Sequence, residues 1–371
     1  MPESGEVSLY VHIPFCTRKC PYCHFYVLPD REALKEQLLD GLQREWQRLA
    51  PRIQGKKIAS IYFGGGTPFL FGPERIRAVL SWFPWVSPCE ITLEANPEHV
   101  TPQQMAAYAD AGVTRVSLGV QSFDPSSLVM LGRSHDASQV HRALDAILRS
   151  GIRNTTIDLM YDVPGQTLAS WQETVRQAVR LPVTHLSLYN LTIEPHTSYA
   201  KRQKSLAPLL PSPEESVELL RCAVETFEAH GFKRYEISAF ARPGFASVHN
   251  MGYWTYRPFF GLGPSAYSFW EGKRFRNSAN LSRYRRALVS GNSPVDFEEE
   301  LPFPDNLHEQ LAVRLRLLSG VDLATLPPLP AATQSRLDTL LLRGWIVQEG
   351  SRIRLTDAGL LFYDSVAVEL V

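Results

Sequence analysis

Nothing in this sequence is both long and apolar. No hydrophobic run approaches the ~20 residues that a membrane-spanning helix needs, so no membrane span is expected. The first residues, MPESGEVSLYVHIP, lack a basic segment followed by an apolar one. No secretory leader is therefore read there, and a cytoplasmic protein is expected. Net charge is missing too. Lys+Arg and Asp+Glu both number 38, and a formal charge of zero argues against a surface given over to nucleic acid. No short tandem repeat is visible, and no Gly-Lys-Ser/Thr phosphate loop. Cysteine is scarce, with 5 in 371 residues. The length allows one large domain, or one large and one small, and 44% hydrophobic residues can fill a core.

The few cysteines are not scattered. Three of them, Cys16, Cys20 and Cys23, fall in YVHIPFCTRKCPYCHF (10–25), spaced C-x3-C-x2-C. Chance would place three at a fixed spacing in roughly one such chain in a thousand. Close thiols in a chain without a leader suggest a metal more than a disulfide. Zinc needs a fourth ligand, and no fourth cysteine is near. His12 and His24 are candidates, although His24 adjoins Cys23 and closes a tetrahedron awkwardly. A [4Fe–4S] cluster on three cysteines leaves one iron open to an outside ligand. Cys89 and Cys222 stand alone and read as small buried apolar residues.

The rest of the chain alternates. Strands are expected at Ser8–Ile13, Ile58–Phe63, Ile91–Ala95, Arg115–Val120, Thr155–Met160 and His185–Leu191, with helical periodicity between them. Thr101 is placed to cap one of these helices and Gly112 to stop it. Six βα units predict an α/β fold with a parallel sheet, open or curled into a partial (β/α)6 barrel. Such barrels keep their chemistry at the C-terminal strand ends. The cysteines, Gly64-Gly65-Gly66-Thr67-Pro68, Glu94, Gln121 and Asp158 all fall at or near those ends. From Ser212 the alternation changes. Gly244–Phe269, rich in Gly, Pro and aromatics, reads as irregular. From Leu301 the pattern becomes helix, Pro-rich break, helix, hairpin, helix, as in a winged helix. Three segments result: 1–211, 212–300 and a smaller winged-helix-like 301–371. The second helix of the last segment is not strongly basic, so nucleic-acid binding is the weakest of three readings. Gly261-Leu262-Gly263-Pro264 imitates a dinucleotide loop, but Pro264 sits where N–H groups should serve a pyrophosphate.

The cysteine motif, with Tyr22 before its third cysteine, resembles that of the radical S-adenosylmethionine (SAM) superfamily. There the open iron is chelated by SAM, and one electron from the cluster cleaves the sulfonium to a 5′-deoxyadenosyl radical. Over almost the whole chain the segments YVHIPFC, CPYCHF, SIYFGGGTP, LEANPE, RVSLGVQSF, LGRSH, TIDLMYDVPGQT, HLSLYNL and YEISAFA resemble the oxygen-independent coproporphyrinogen III oxidase-like family, most closely its haem-chaperone branch. The resemblance implies a cluster on Cys16, Cys20 and Cys23. It implies SAM contacts from Tyr10, Tyr22, Gly65, Gly66, Thr67, Glu94, Gln121, Arg133 and Asp158. It also implies an electron donor such as flavodoxin or ferredoxin.

Two features separate the branches. The oxidases resemble C-x3-C-x2-C-x-C, and here the last position is Phe25; they also carry an extension before the cluster motif, whereas Cys16 is near the start here. The stretch His249-Asn250-Met251-Gly252-Tyr253-Trp254 matches the HNxxYW motif of the chaperone branch and offers His249 to haem iron. The expected function is therefore haem binding and delivery to an acceptor protein. The alternative is decarboxylation of coproporphyrinogen III propionates to vinyls. Two departures from the family pattern stand out. His24 occupies a position usually acidic or amide, and Asp162 one usually glycine.

Overall fold

The computed structural model describes residues 5–371; residues 1–4 of the first expected segment lie outside the described residues. A twelve-stranded sheet forms its centre. Its middle six strands are β1 (Glu6–Ile13), β2 (Lys57–Gly65), β3 (Glu90–Ala95), β4 (Arg115–Gln121), β5 (Asn154–Tyr161) and β6 (His185–Asn190). They pair in chain order, and every pair is parallel. This is the expected partial barrel, with helices such as Glu32–Leu49, Pro102–Ala111 and Ala137–Arg149 in the crossovers. Thr101 accepts a bond from the Gln104 N–H, and Gly112 ends that helix at φ 110°.

Strands of a parallel sheet covered on both faces usually read as unbroken apolar runs. These alternate. In β1 the residues Leu9, Val11 and Ile13 are buried in the main core, while Ser8, Tyr10 and His12 form hydrogen bonds with other polar groups. The same holds for Ile61 and Phe63 against Ser60 and Tyr62, and for Leu93 against Glu94. Successive side chains leave a strand on opposite faces. One face therefore packs under the helices, and the other builds a polar network.

Segment 212–300 is more ordered than its composition suggests. The stretch read as irregular holds a helix, Val248–Trp254, and two strands. In chain order the segment adds β7 (Lys233–Glu236), β8 (Ala239–Ala241), β9 (Phe259–Leu262), β10 (Tyr267–Trp270), β11 (Lys273–Asn277) and β12 (Val295–Glu300). β8 and β7 extend the sheet antiparallel beyond β6, and β9 pairs parallel with β1 on the other side. Most of these strands are only three to five residues long and carry little periodicity, and β9 pairs with β1, far away in the sequence. Gly261 and Gly263 are packing glycines. A Cβ at Gly261 would collide with the Tyr267 carbonyl, and the Gly263 N–H donates to Glu45 at 2.7 Å. The loop that imitates a dinucleotide site is thus spent on the fold.

The C-terminal part has its own core around Leu311, Leu340 and Ile353. Helix Asp305–Arg314, β13 (Val321–Asp322), helix Ala331–Leu342 and the hairpin β14 (Ile346–Glu349) and β15 (Arg352–Leu355) follow in winged-helix order, with sheet order β13-β15-β14. Several of its cations are spent internally. Arg336 donates to the Leu370 carbonyl at 2.7 Å, Arg343 pairs with Glu369 and Arg354 with Glu349. No helix among the described residues is long and apolar enough to cross a membrane.

Candidate functional site

One cavity of about 370 Å³ opens at the C-terminal ends of the parallel strands. The residues that the resemblance implies for the cluster, SAM and haem all line it, except Tyr10 and His249. Cys16, Cys20, Tyr22 and Cys23 enter from the loop after β1. Gly65, Gly66 and Thr67 enter from the end of β2, Glu94 from β3, Gln121 from β4 and Asp158 from β5, with Arg133 from a following loop.

The three thiols sit half-buried around the mouth. The Cys23 N–H closes a turn onto the Cys20 carbonyl at 3.2 Å, and Cys16 Sγ lies 3.8 Å from Thr67 Oγ1. Burial pushes the Cys16 thiol up to about 11, partly opposed by Thr67, and the neighbouring Cys23 and Cys20 push the same way. Such thiols need a nearby positive charge to ionise, which a metal centre provides. Among the described residues no three His, Cys, Asp or Glu side chains gather to grip a single ion. Zinc requires that convergence. A [4Fe–4S] cubane does not, because each thiolate binds a different iron. His12 is also unavailable to a metal. Its Nε2 donates to the Tyr26 carbonyl at 3.2 Å, and Nδ1 accepts from Tyr10 at 3.0 Å. Burial pushes His12 down to about 4.

The glycine loop is held tightly. Gly65 has φ 118°, and a Cβ there would meet the His12 ring at 2.6 Å. A Cβ on Gly66 would lie 2.7 Å from the Phe15 carbonyl, on the segment that leads into Cys16. Glu94 fixes the loop from across the sheet. Its carboxylate accepts from Gly65 N–H at 3.1 Å and from Tyr62 O–H at 2.8 Å. Beyond Glu94, Asp158 accepts from Ser117 at 3.2 Å. Burial raises both carboxyls, Glu94 to about 7 with Asp158 as a further cause.

Gln121 is the strained member. The β4–β5 register slips between Gly119 and Gln121, and Gln121 takes φ 65°. Such a bulge re-aims a side chain, and a non-glycine residue holds that backbone only where its surroundings impose it. Here it turns Gln121 to the cavity with Oε1 buried and unpartnered. Arg133 donates to Asn96 Oδ1 and to the Gly119 carbonyl, both at 3.1 Å, while its Nε is buried without a partner. Native structures rarely leave such groups unpaired, so both are ready for a ligand.

Some functional neighbours were not read from the sequence. Asn96 ties Arg133 to Thr67. Ser117 supports Asp158, and Arg18, Lys19 and Glu194 stand on the cavity wall. Asn96 and Ser117 do lie at strand ends and on the polar alternation, which was the available signal. Asp162 has φ 62°, which explains the glycine usual in the family. Aspartate tolerates this backbone better than most residues. Here its Oδ2 accepts from Asn190 and Ser216, both at 2.5 Å, binding the cavity wall to helix Pro213–Ala229.

His249, the residue that the resemblance offers to haem iron, lies outside this cavity. It is 1% exposed, outside the cavity, in the polar interior near the start of β2. Ser60 gives its proton to Ser8, so it accepts from His249 Nδ1 at 2.9 Å; Nε2 then accepts from Tyr253 O–H at 2.9 Å. Both nitrogens are hydrogen-bonded in this arrangement, and burial pushes the group down to about 3. Its ring lies 4.9 Å from Tyr62 and 6.5 Å from Tyr10. Glu90 receives the Val248 and His249 N–H groups at 3.1 and 2.9 Å. At the far end of the helix, Trp254 meets Arg316 of the C-terminal part at 4.3 Å. The HNxxYW stretch is thus a brace between the site and the last module.

A half-open parallel barrel with three cysteines, a glycine turn and paired carboxylates at its strand ends defines the radical SAM class. The model of the Radical SAM superfamily matches residues 10–178, and that of the HemN C-terminal domain residues 301–362. A protein named "Heme chaperone HemW" from Haemophilus influenzae is 33% identical over 99% of this chain and 98% of its own. One of the same name from Escherichia coli is 31% identical over 99% and 98%. Among solved structures, Coproporphyrinogen III oxidase (HemN) from Escherichia coli superposes with TM-score 0.87 at 23% identity, covering 100% of this chain and 91% of that one, which establishes the fold. The chain belongs to the radical SAM superfamily and, within it, to the family of the HemW proteins. With that class come a [4Fe–4S] cluster and SAM, and the thiols and unpaired groups described above fit them.

Glu94 gives a pH signature. In the folded protein it keeps its proton to about 7, against an ordinary carboxyl value near 4.5. Its contribution to stability is therefore fullest below the unfolded value and is lost as pH rises to about 7. A cationic ligand reverses the preference, since it favours the ionised carboxylate. SAM binding should tighten about tenfold between about pH 6 and about pH 8, in step with the ionised fraction. The readout is equilibrium binding to the reconstituted protein, taken as the difference from Glu94→Gln. Parallel profiles for the two proteins would refute the role of Glu94.

Proposed function

We propose that this protein binds haem and hands it to an acceptor protein, with a SAM-liganded [4Fe–4S] cluster as part of the apparatus. What carries the reading is similarity over nearly the full length of both chains to proteins named haem chaperones. Phe25 supports it, exposed on the cavity wall where the oxidases have a further cysteine. Cys16, Cys20 and Cys23 would hold the cluster. Gly65, Gly66, Thr67, Glu94, Gln121, Arg133 and Asp158 would hold SAM, whose cleavage supplies radical chemistry when it is bound. Carboxylates suit its amino and ribose groups, and Arg133 suits its carboxylate. Tyr22 would line the cluster side. Tyr10 would act from beneath, through His12, whose ring backs Gly65.

The electron donor would be a small redox protein such as flavodoxin or ferredoxin, and the setting the cytoplasm. The segments 1–211, 212–300 and 301–371 are proposed as the modules, with the HNxxYW brace joining the last to the first. Anaerobic incubation with SAM and coproporphyrinogen III, with haem binding titrated on the same sample, tests the function. The expected result is saturable haem binding and no vinyl product. Repeated release of carbon dioxide from the propionates over several turnovers would overturn the chaperone reading in favour of the oxidase.

A further inference from the structure

The loop that carries the three motif thiols is fringed by exposed cations. Arg18 and Lys19 stand between Cys16 and Cys20, and Lys19 Nζ donates to the Phe25 carbonyl at 3.2 Å. A second group comes from the chain after β6. The short helices Ser198–Lys201 and Gln203–Leu206, with Arg202 between them, present Lys201, Arg202 and Lys204 to solvent. This segment is tied to the thiol loop. The Tyr199 N–H donates to the Pro21 carbonyl at 3.1 Å, and the Tyr199 ring lies 6.4 Å from that of Tyr22. Among the described residues none of these cations forms an ion pair. The acids at this end are otherwise engaged. Asp30 pairs with Lys35 at 2.7 Å, Glu94 and Asp158 are hydrogen-bonded inside the cavity, and Glu194 is half-buried on its wall. In a chain of zero formal charge, such a local excess of one sign projects a field that steers an anionic partner to this spot. Phe25, 52% exposed, adds an apolar face on the same side. Charge that steers, around a small apolar contact, suits the small and transient interfaces of electron-transfer pairs.

We propose that Arg18 and Lys19, together with Lys201, Arg202 and Lys204, form the docking surface for an acidic one-electron carrier protein, with Phe25 as its apolar contact. The proposal rests on the cluster reading and gives the electron donor its place on the chain. The partner's chemistry follows from position. The thiol loop is where the chain meets the cluster, so an electron delivered to its outer side has the shortest way to go. The step balances without an added reactant. A flavin hydroquinone anion gives one electron and becomes the neutral semiquinone, and the oxidised cluster gains that electron; no bond forms or breaks and no proton moves. A nucleic acid would need a longer basic track than this rim provides.

The test uses the whole chain, reconstituted and kept anaerobic, with an acidic flavodoxin as the probe. Equilibrium binding is measured first. The rate of cluster reduction by flavodoxin hydroquinone is then compared with that by photoreduced deazaflavin, a small reductant that needs no docking surface. Wild-type binding should weaken about tenfold as salt rises from about 20 mM to about 200 mM. Lys201→Glu with Lys204→Glu should weaken binding about tenfold at low salt and flatten that salt dependence. Reduction by flavodoxin should slow with it, while deazaflavin reduces the variant as fast as the wild type. Arg153→Glu with Arg180→Glu makes the same change of net charge before β5 and β6, at the opposite end of the sheet, and should alter neither readout. Equal weakening in the two double variants would overturn the assignment, because net charge and not this rim would then be responsible. So would unchanged binding in Lys201→Glu with Lys204→Glu. A single-stranded oligonucleotide that displaces flavodoxin at equal affinity would also overturn it and make the rim a polyanion site. Failure of the wild-type cluster to accept an electron from deazaflavin is a separate result, because it precedes any partner and refutes the cluster reading itself.

Discussion

Cys20→Ala should strip the reconstituted protein of its broad visible absorbance, while Cys89→Ala and Cys222→Ala should leave it intact. The three motif thiols share one cavity mouth, and each would bind its own iron, so no neighbour can replace a missing one. Cys89 is buried before β3, and burial pushes its thiol up to about 12. Cys222 lies on helix Pro213–Ala229, away from the cavity. Iron and sulfide content, measured beside the spectrum, separates a lost cluster from a shifted one. Equal loss in Cys89→Ala would mean that the absorbance reports folding and not ligation. SAM affinity should vanish with the cluster in Cys20→Ala, since its anchoring iron is gone.

Gly66→Val should be nearly as damaging, although no chemical group is removed. The new Cβ would lie 2.7 Å from the Phe15 carbonyl and 2.8 Å from the Pro14 carbonyl carbon. Both are backbone atoms, so relief requires moving either the end of β2 or the segment that leads into Cys16. Overpacking of this kind costs about 1–3 kcal/mol. The displacement would fall on the two elements that must stay in register, the thiol loop and the glycine loop. The expected outcome is poor cluster retention and loss of SAM binding, with the far-ultraviolet spectrum of a folded α/β protein. Gly151→Val is the control, because nothing lies within 4 Å of a Cβ there, although its φ of 91° adds some backbone strain. Full SAM binding in Gly66→Val would show that the close approach is not required.

Most of the cavity rim could be read from the chain because it obeys local rules. The cysteines fall within eight residues, the glycines close a strand, and Glu94, Gln121 and Asp158 lie at or near the ends of strands whose periodicity is plain. The alternation of Ser8, Tyr10 and His12 with Leu9 and Val11 even announces a polar interior, against the habit of buried parallel strands. The strands of 245–300 were not legible for the opposite reason. β9 pairs with β1, whose residues lie some 250 positions earlier, and a four-residue strand carries too little pattern to be seen alone.

The sequence by itself carried the family resemblance, the six parallel strands, the three cysteines offered to a cluster and most of the side chains that the fold brings to the cavity. These follow from residue type and spacing, which are properties of short stretches. Only the tertiary structure decided what surrounds His249 and His24. One histidine is enclosed by Ser60 and Tyr253, the other lies open beside Phe25, and no local pattern distinguishes two imidazoles whose difference is which distant groups surround them. The same is true of Glu94. Its raised affinity for a proton comes from burial and from Asp158, two strands away, and burial is a property of the assembled chain.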